Sequence, residues 1–190
     1  MWAGLGDDGV FRFTDSTQTR WTREDGIAGS IVRPIAEDGD GTVWVGTEQG
    51  LSRREGSRFE TVTAPKVAGF KQLSALQRDA TDTLWVGSAK QGLFWYYEGT
   101  FGRGFPTGSS PISSRIMGLH RSPDGSLWIG TRDDGVIRRK GRGDIEVYDS
   151  DDGVPYESVR DIYETDDGTI WISTSGGGIA RFEGDHFTPV

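Results

Sequence analysis

Side chains that commonly carry catalysis are scarce in this sequence of 190 residues. There is no cysteine, and the two histidines are His120 and His186. A histidine-based metal site or a lyase-type general base would have to use one of these two. Carboxylates are plentiful, but most of them fall in turn-like sequences, so no general-acid pair stands out. We therefore predict that the chain is not an enzyme and that it binds no cofactor or metal.

Two acidic segments, residues 37–41 and 164–168, place several oxygen ligands close together, as a calcium loop does. Neither segment has the twelve-residue spacing that ends in a bidentate glutamate. We interpret both as hairpin turns with solvated carboxylates.

An aromatic run, Trp95-Tyr96-Tyr97, has two alternative interpretations. Rings of this kind can form a platform on which a sugar stacks. The same run can arise from local repacking, because the turn that precedes it in the chain has lost its glycine. The choice depends on the elements that position these rings.

Those elements follow a regular repeat. Tryptophans recur at positions 2, 44, 85, 128 and 171, at intervals of 42, 41, 43 and 43 residues, within motifs such as Gly-Thr-Ile-Trp-Ile-Ser-Thr. Each repeat divides into four strand-like segments, and the first copy lacks the initial one, so we expect nineteen strands. No unit could bury both faces alone, so neighbouring units must stack. Four strands per repeat of this length, with a tryptophan signature, indicate the blades of a β-propeller.

Local spacing predicts further details of each repeat. Aliphatic residues lie nine and twelve positions before the tryptophan, as Ile35 and Val32 do, and a spacing of three predicts a bulge in the first strand. The next turn carries Asp-Gly at 40–41, 124–125 and 167–168, which is typical of a two-residue hairpin with two positive φ angles. The third copy has Asp82 instead of the glycine, so we expect that hairpin to be the least regular.

An arginine follows the tryptophan by ten residues in three repeats and by nine in a fourth. The ten-residue spacing gives Arg12, Arg138 and Arg181, and the nine-residue spacing gives Arg53. We expect them to form a repeated contact between blades, by stacking on an aromatic ring or by pairing with an acidic neighbour. Trp95 occupies this position in the third copy.

The first strand of each repeat is expected to be the innermost, because Pro34, Ala75 and Gly118 are small at equivalent positions. Polar residues near the start of these strands would then surround one opening of the central channel: Arg33, Lys71, Arg115, Arg160 and Asp161. This mouth would be net cationic and would suit an anionic or polyhydroxylated ligand. Solvated strand ends explain the same residues without a ligand.

Composition excludes several classes of partner. The net charge of −8, without a basic stripe, argues against nucleic acid. No run of about twenty apolar residues is present, so we expect no direct membrane insertion. No targeting signal is recognised, because Trp2 already lies within a repeat. The lack of cysteine fits a cytosolic or a periplasmic protein.

The pattern Asp-Gly-x-aliphatic-Trp-[Ile/Val]-Gly-Thr, followed by Gly-aliphatic-x-Arg, resembles the two-component-regulator propeller repeat. The segment 152–160, Asp-Gly-Val-Pro-Tyr-Glu-Ser-Val-Arg, is similar to that family's lead into the next blade. The resemblance covers essentially the whole chain. It implies the periplasmic or extracellular propeller of a bacterial sensor protein that responds to extracytoplasmic ligands. Streptogramin lyases carry a similar repeat. Propeller rings of the two-component-regulator family usually have more than five blades.

We therefore expect one all-β domain over residues 1–190, a β-propeller of about five four-stranded antiparallel blades with the first incomplete. The expected blades cover residues 1–26, 27–66, 67–108, 109–152 and 153–190. A closed small ring and a piece of a larger one are both compatible with the sequence. The expected function is non-catalytic ligand sensing or protein interaction, with a small-molecule or glycan ligand bound by Trp95, Tyr96, Tyr97 or the mouth residues. The alternatives are a streptogramin-lyase-like enzyme and a structural array that completes its ring by self-association through the incomplete blade.

Overall fold

The computed structural model describes residues 1–63, 70–105, 115–141 and 144–190. Within these ranges the chain is all-β apart from three 3₁₀ turns, Gly6–Asp8, Arg23–Asp25 and Ser150–Asp152. The described residues form nineteen strands in five antiparallel sheets, the first of three strands and the others of four. The β-propeller class and the strand number agree with the sequence prediction, including the absent inner strand of the first blade.

Each sheet is a meander of consecutive strands, and each forms one blade. The first blade consists of β1 (Trp2–Gly4), β2 (Val10–Phe13) and β3 (Gln18–Trp21). The second consists of β4 (Val32–Glu37), β5 (Val43–Thr47), β6 (Leu51–Glu55) and β7 (Arg58–Val62). The third consists of β8 (Leu73–Arg78), β9 (Leu84–Ser88), β10 (Gly92–Tyr97) and β11 (Thr100–Arg103).

The fourth and fifth blades repeat this order. The fourth consists of β12 (Ile116–Arg121), β13 (Leu127–Thr131), β14 (Val136–Lys140) and β15 (Asp144–Tyr148). The fifth consists of β16 (Val159–Glu164), β17 (Ile170–Thr174), β18 (Ile179–Phe182) and β19 (Phe187–Pro189).

The first strands of neighbouring blades pack side by side, β4 on β8, β8 on β12 and β12 on β16. These strands are therefore innermost, as the small residues at their centres predicted. Gly118 shows the crowding, because a Cβ there would lie against the backbone of Arg160 and Asp161 in the next blade. The predicted bulge is present in all four complete blades, where the pairing of the first two strands shifts register near its start.

The hairpin between the first and second strands differs from the prediction. Only one residue of each turn has a positive φ, namely Gly41, Asp82, Gly125 and Gly168. The loop is longer than two residues, and the N–H of the positive-φ residue donates to the carbonyl three residues earlier. The predicted two-residue turn is therefore wrong. Asp82 takes the left-handed position with φ of 61° and its turn keeps the same hydrogen bond, so the third hairpin is not irregular.

The tryptophans of the second, third and fourth blades pack between their own blade and the next. Trp44, Trp85 and Trp128 lie in separate apolar clusters with the first two strands of the following blade. Their indole N–H groups donate to a side chain six residues earlier: Asp38 at 3.0 Å, Asp79 at 2.9 Å and Ser122 at 3.0 Å. Each indole is thus buried with its donor satisfied.

The predicted arginine contacts exist, but mainly within one blade. Arg12, Arg53 and Arg138 pair directly opposite Trp2, Trp44 and Trp128, with guanidinium carbons 5.6, 5.8 and 4.7 Å from the ring centroids. Arg138 also contacts the next blade, where its guanidinium carbon lies 5.8 Å from the Phe182 ring centroid. Further contacts between blades come from the residue after two of these arginines. Arg54 lies 5.5 Å from the Trp2 ring, and Arg139 lies 4.8 Å from the Trp85 ring. Two arginines in succession therefore contact two tryptophans of adjacent blades.

The outward face of the fifth blade is not covered by another blade in the described residues. Tyr163 and Ile179 are exposed on this face, and Trp171 is only half-buried. No helix in the described parts of the chain is long and apolar enough to cross a membrane.

Candidate functional site

The two ends of the blades carry different loops. In an antiparallel meander, the first and third turns of a blade lie at one end, called here the turn end. The loop between the second and third strands and the link to the next blade lie at the other, called here the link end. Arg33, Lys71, Arg115 and Arg160 lie close to the link end, since each is near the start of a first strand.

A cavity of about 630 Å³ opens at the link end between the fourth and fifth blades. Three segments form its wall: the loop after β13, the link between the blades and the loop after β17. They contribute Arg132, Asp133, Tyr156, Glu157, Arg160 and Ser175. A cavity of this volume is within the range of small-molecule sites in proteins.

The link is held rigidly by its own sequence. The carboxylate of Asp149 accepts the N–H of Asp151 at 2.8 Å, and the carboxylate of Asp152 accepts the N–H of Asp149 at 3.2 Å. Gly153 ends this turn with φ of 86°, and a Cβ there would collide with the carbonyl oxygen of Phe187. Val154 is buried directly afterwards. These contacts fix the path of the next residues, which line the cavity.

Ser175 is the centre of the polar contacts inside the cavity. Its N–H donates to the carbonyl of Ser158 at 2.8 Å, and the two serine hydroxyls lie 2.9 Å apart. The Nε of Arg160 donates to the Ser175 hydroxyl at 2.6 Å. These bonds hold the Arg160 side chain against the cavity wall.

The charges that line the cavity are not equivalent. Asp133 pairs with Arg115 at 3.3 Å. Arg132 and Arg160 have no carboxylate partner within the described ranges, and Glu157 is exposed. Two guanidinium groups are therefore available to an anionic group entering the cavity.

The predicted mouth residues are distributed over several blades. Arg160 lines the cavity, and Arg115 reaches its rim through Asp133. Arg33 and Lys71 are exposed on the second and third blades. The carboxylate of Asp161 accepts the N–H of Ile162 at 2.9 Å. The structure thus places one of the five predicted residues, Arg160, in the cavity wall and a second, Arg115, against a lining residue. Their role in binding a ligand stays a prediction.

The aromatic run does not form one platform. Trp95 packs towards the fourth blade, with its indole N–H donating to the carbonyl of Arg103 at 3.1 Å. Tyr96 points to the other face of the sheet, where its ring centroid lies 5.1 Å from that of Trp44 and 4.7 Å from that of Phe101. Tyr97 is exposed near the turn end, and the charge of the neighbouring Glu98 raises its pKa. This geometry supports the repacking interpretation for Trp95 and Tyr96.

Tyr97 borders a smaller depression of about 220 Å³ at the turn end, which also contains Asp38, Asp40, Arg78 and Asp82. Arg78 pairs with Asp38 and also with Asp82, at 3.0 Å for the latter pair. Burial raises the pKa of Asp38, whereas hydrogen bonds to Asp38 and Thr42 lower the pKa of Asp40 to about 2. Because Arg78 is already paired with two carboxylates, we interpret this depression as a structural feature of the fold and not as a ligand site.

The two histidines are engaged with carboxylates. His120 Nε2 lies 2.8 Å from Glu164 Oε2 and joins the inner strands of the fourth and fifth blades. His186 Nδ1 lies 2.8 Å from Asp185 at an exposed position. The described residues contain no group of three or more histidine, cysteine, aspartate or glutamate side chains placed to hold a metal ion.

Sequence reasoning missed Arg132, Tyr156 and Ser175 as cavity residues. One signal could have found two of them. The residue after the second-strand motif differs in every complete repeat while the motif itself hardly changes: Glu48, Ala89, Arg132 and Ser175. Variation at one position of a constant scaffold is typical of a loop that carries specificity.

Two segments of the chain match the two component regulator propeller repeat. The sequence model of that family matches residues 26–49 and 153–176, which confirms the resemblance seen in the sequence. Each match covers a link, an inner strand and the tryptophan strand, in the second and fifth blades respectively. No curated protein matches the sequence.

Solved structures share the fold at low sequence identity. An extracellular domain assigned to a hybrid two component system of B. thetaiotaomicron has a TM-score of 0.79 and 21% identity, over 90% of this chain and 26% of that one. A second such domain from the same organism has a TM-score of 0.77 and 22% identity, over 95% and 25%. A streptogramin B lyase has a TM-score of 0.67 and 19% identity, over 86% and 56%. The chain therefore spans about a quarter of the length of the two extracellular domains.

Proposed function

We propose that this chain is a non-catalytic ligand-sensing part of a periplasmic or extracellular β-propeller, and that its ligand binds in the link-end cavity between the fourth and fifth blades. The observation that carries the proposal is the cavity itself, which holds two guanidinium groups without a carboxylate partner in the described chain. The propeller repeat and the similarity to extracellular domains of two component systems support the sensing role and the location.

The cavity residues belong to loops on a rigid scaffold, which is where propeller proteins can vary binding without changing the fold. Ser175 is followed by three glycines, and Tyr156 is half exposed beside them. The exposed ring and the hydroxyls give the cavity apolar and polar surface next to its two cations. A small anionic or polyhydroxylated molecule, such as an acidic sugar, fits this combination.

A thermal-shift screen of anionic and polyhydroxylated metabolites tests the proposal. We expect at least one compound to raise the melting temperature of the wild-type chain, and Arg160→Gln or Tyr156→Ala to reduce that shift. Arg33→Gln is the matched control, because Arg33 occupies the position of Arg160 in the second blade. A screen without a stabilising compound, or shifts that Arg160→Gln leaves unchanged, would contradict the proposal.

The predicted aromatic site is tested in the same screen. Trp95→Phe keeps an aromatic ring in the interface with the fourth blade but removes the indole hydrogen bond. We expect the compounds found with the wild-type chain to keep their shifts in this variant. Shifts lost in Trp95→Phe and kept in Arg160→Gln would move the site to the third blade.

A lyase is the second candidate, favoured by the shared fold with a streptogramin B lyase. His120 would be its general base, and the contact of Nε2 with Glu164 would orient the ring. A turnover assay with a streptogramin B substrate decides between the two candidates. We expect no turnover, and metal-dependent turnover lost in His120→Ala would favour the enzyme.

A further inference from the structure

The two links matched by the propeller repeat have the same backbone. Residues 22–31 lead into the second blade and residues 149–158 into the fifth, and both run through a 3₁₀ turn, a left-handed glycine and an extended segment in the same order. Gly26 and Gly153 are equivalent, with φ of 99° and 86°, and a Cβ at either would meet a carbonyl oxygen of the outer strand. The two links can therefore be compared residue by residue.

In the link to the second blade, a side chain of the protein occupies the space beside the backbone. The carboxylate of Glu48 accepts the N–H of Ser30 at 3.0 Å with one oxygen and the N–H of Ile31 at 2.8 Å with the other. This bidentate contact satisfies two backbone donors with one anion. Gly29 makes the contact possible, because a Cβ there would collide with the Glu48 carboxylate.

In the link to the fifth blade, the equivalent carboxylate is absent. Ser175 stands in the position of Glu48, and Tyr156 stands in the position of Gly29. The N–H groups of Glu157 and Ser158 correspond to those that Glu48 binds, and they have no acceptor among the described residues. Both residues line the cavity of about 630 Å³.

The surroundings favour an anion at this place. The Nε of Arg160 is held by Ser175, which leaves the other guanidinium N–H groups free to donate. Arg132 lines the same cavity without a carboxylate partner in the described chain. The nearby Asp133 is paired with Arg115 and opposes an entering anion less than an unpaired acid would.

We propose that the ligand of this cavity carries a carboxylate, which binds the N–H groups of Glu157 and Ser158 as Glu48 binds those of Ser30 and Ile31. This inference rests on the proposed function and specifies its ligand class. A Cβ at Gly29 would collide with the Glu48 carboxylate, so with Tyr156 at the equivalent position we expect the ligand carboxylate to lie further from the link than Glu48 does. The open side of the cavity provides the room.

The test uses acetate and succinate as probes and their amides, acetamide and succinamide, as neutral controls of equal shape. Backbone amide signals are followed by nuclear magnetic resonance in the intact chain. We expect saturable shifts of the Glu157 and Ser158 signals with the carboxylates, at least about tenfold weaker binding of the amides, and no shift at Ser30 and Ile31. Equal binding of acids and amides, or the absence of shifts at Glu157 and Ser158, would overturn the inference.

Two variants exchange the links. Glu48→Ser empties the site of the second blade, and we expect acetate to raise its melting temperature and to shift the Ser30 and Ile31 signals. Ser175→Glu combined with Tyr156→Gly fills the site of the fifth blade, and we expect it to bind acetate more weakly than Tyr156→Gly alone. Failure of both exchanges would contradict the inference even if the variants fold.

The outcomes separate this inference from the proposed function. A neutral ligand whose stabilising effect depends on Arg160 would refute the carboxylate and keep the sensing role. Failure of every compound and both carboxylate probes would refute both.

Discussion

Trp128 and Trp171 occupy the same position of the repeat but have different surroundings. Trp128 is 1% exposed and lies against the inner strands of the fifth blade. Trp171 is half-buried, and beside it Tyr163 and Ile179 are 63% and 45% exposed. A blade therefore supplies the tryptophan, but the following blade supplies most of its burial. The same motif can contribute very different amounts to the free energy of unfolding.

The largest effect is expected for the tryptophans themselves. Trp128→Ala should lower the free energy of unfolding by about 3–5 kcal/mol, because it removes a buried indole and leaves a cavity. Trp171→Ala should lower it by about 1 kcal/mol, since the indole loses less burial. Denaturant unfolding of both variants measures the difference. Equal losses would mean that another element covers Trp171 in solution.

The paired arginines should show the next largest difference. Arg138 lies 4.7 Å from the Trp128 ring and donates to Asp124 at 2.9 Å and to Ser126 at 3.2 Å. Arg138→Gln should cost about 1–2 kcal/mol. Arg181→Gln in the fifth blade should cost less than about 0.5 kcal/mol, because Arg181 forms an exposed pair with Glu183. Thermal melts at moderate salt compare the two, and a larger loss for Arg181→Gln would contradict this assignment.

Alkaline pH should weaken the covered interface. Burial and the hydrogen bond to Glu146 raise the pKa of Tyr148, which packs on Trp128, to about 12. The folded chain thus holds the phenolic proton more tightly than the unfolded chain, whose tyrosine pKa is about 10. The resulting stabilisation is complete below pH 10 and is lost as pH rises from about 10 to 12. The loss in the free energy of unfolding reaches about 1 kcal/mol at pH 11. Tyr148→Phe should remove this component of the pH dependence, as measured by unfolding between pH 9 and about 11.5. An unchanged profile would exclude Tyr148 as the group responsible.

The smallest effects are expected at the second-last residue of the inner strand in the fourth and fifth blades, which is His120 in one and Tyr163 in the other. His120→Ala should cost about 1 kcal/mol, because it leaves the largely buried Glu164 without its partner. Tyr163→Ala, at the equivalent position of the fifth blade, should change stability by less than about 0.5 kcal/mol, because its side chain is exposed. A larger loss for Tyr163→Ala, measured in the same denaturant series, would again indicate a cover on that face.

Regular spacing explains why so much of the fold could be predicted. The interval between tryptophans defined the blades, and a spacing of three in the inner strand located each bulge. The turns were mispredicted because Asp-Gly fits both a two-residue turn and a longer one, and only the loop length decides between them. Asp82 kept its turn regular because aspartate tolerates the left-handed conformation better than most residues. The acceptor six residues before Trp44, Trp85 and Trp128 was also visible in the sequence, but its role depends on the hairpin geometry.

The candidate site was predictable only in part. Arg160 was identified as a residue near the mouth because strand starts can be counted from the tryptophan. Tyr156 and Ser175 were missed because they become neighbours only when a link and a loop meet at one end of two blades. The grouping of Trp95 with Tyr96 overlooked strand alternation, which sends successive side chains to opposite faces.

The two faces of a blade are chemically unlike, and this sets the symmetry of any assembly. One face presents a tryptophan with its arginine, and the opposite face presents aliphatic residues such as Val43 and Val45. Such a contact is heterologous, so blades add head to tail and either close a ring or continue. Two copies meeting through the Trp171 faces would bring two like faces together, unlike the tryptophan-on-aliphatic contacts within the chain. We therefore expect a partner that covers Trp171 to offer an aliphatic face.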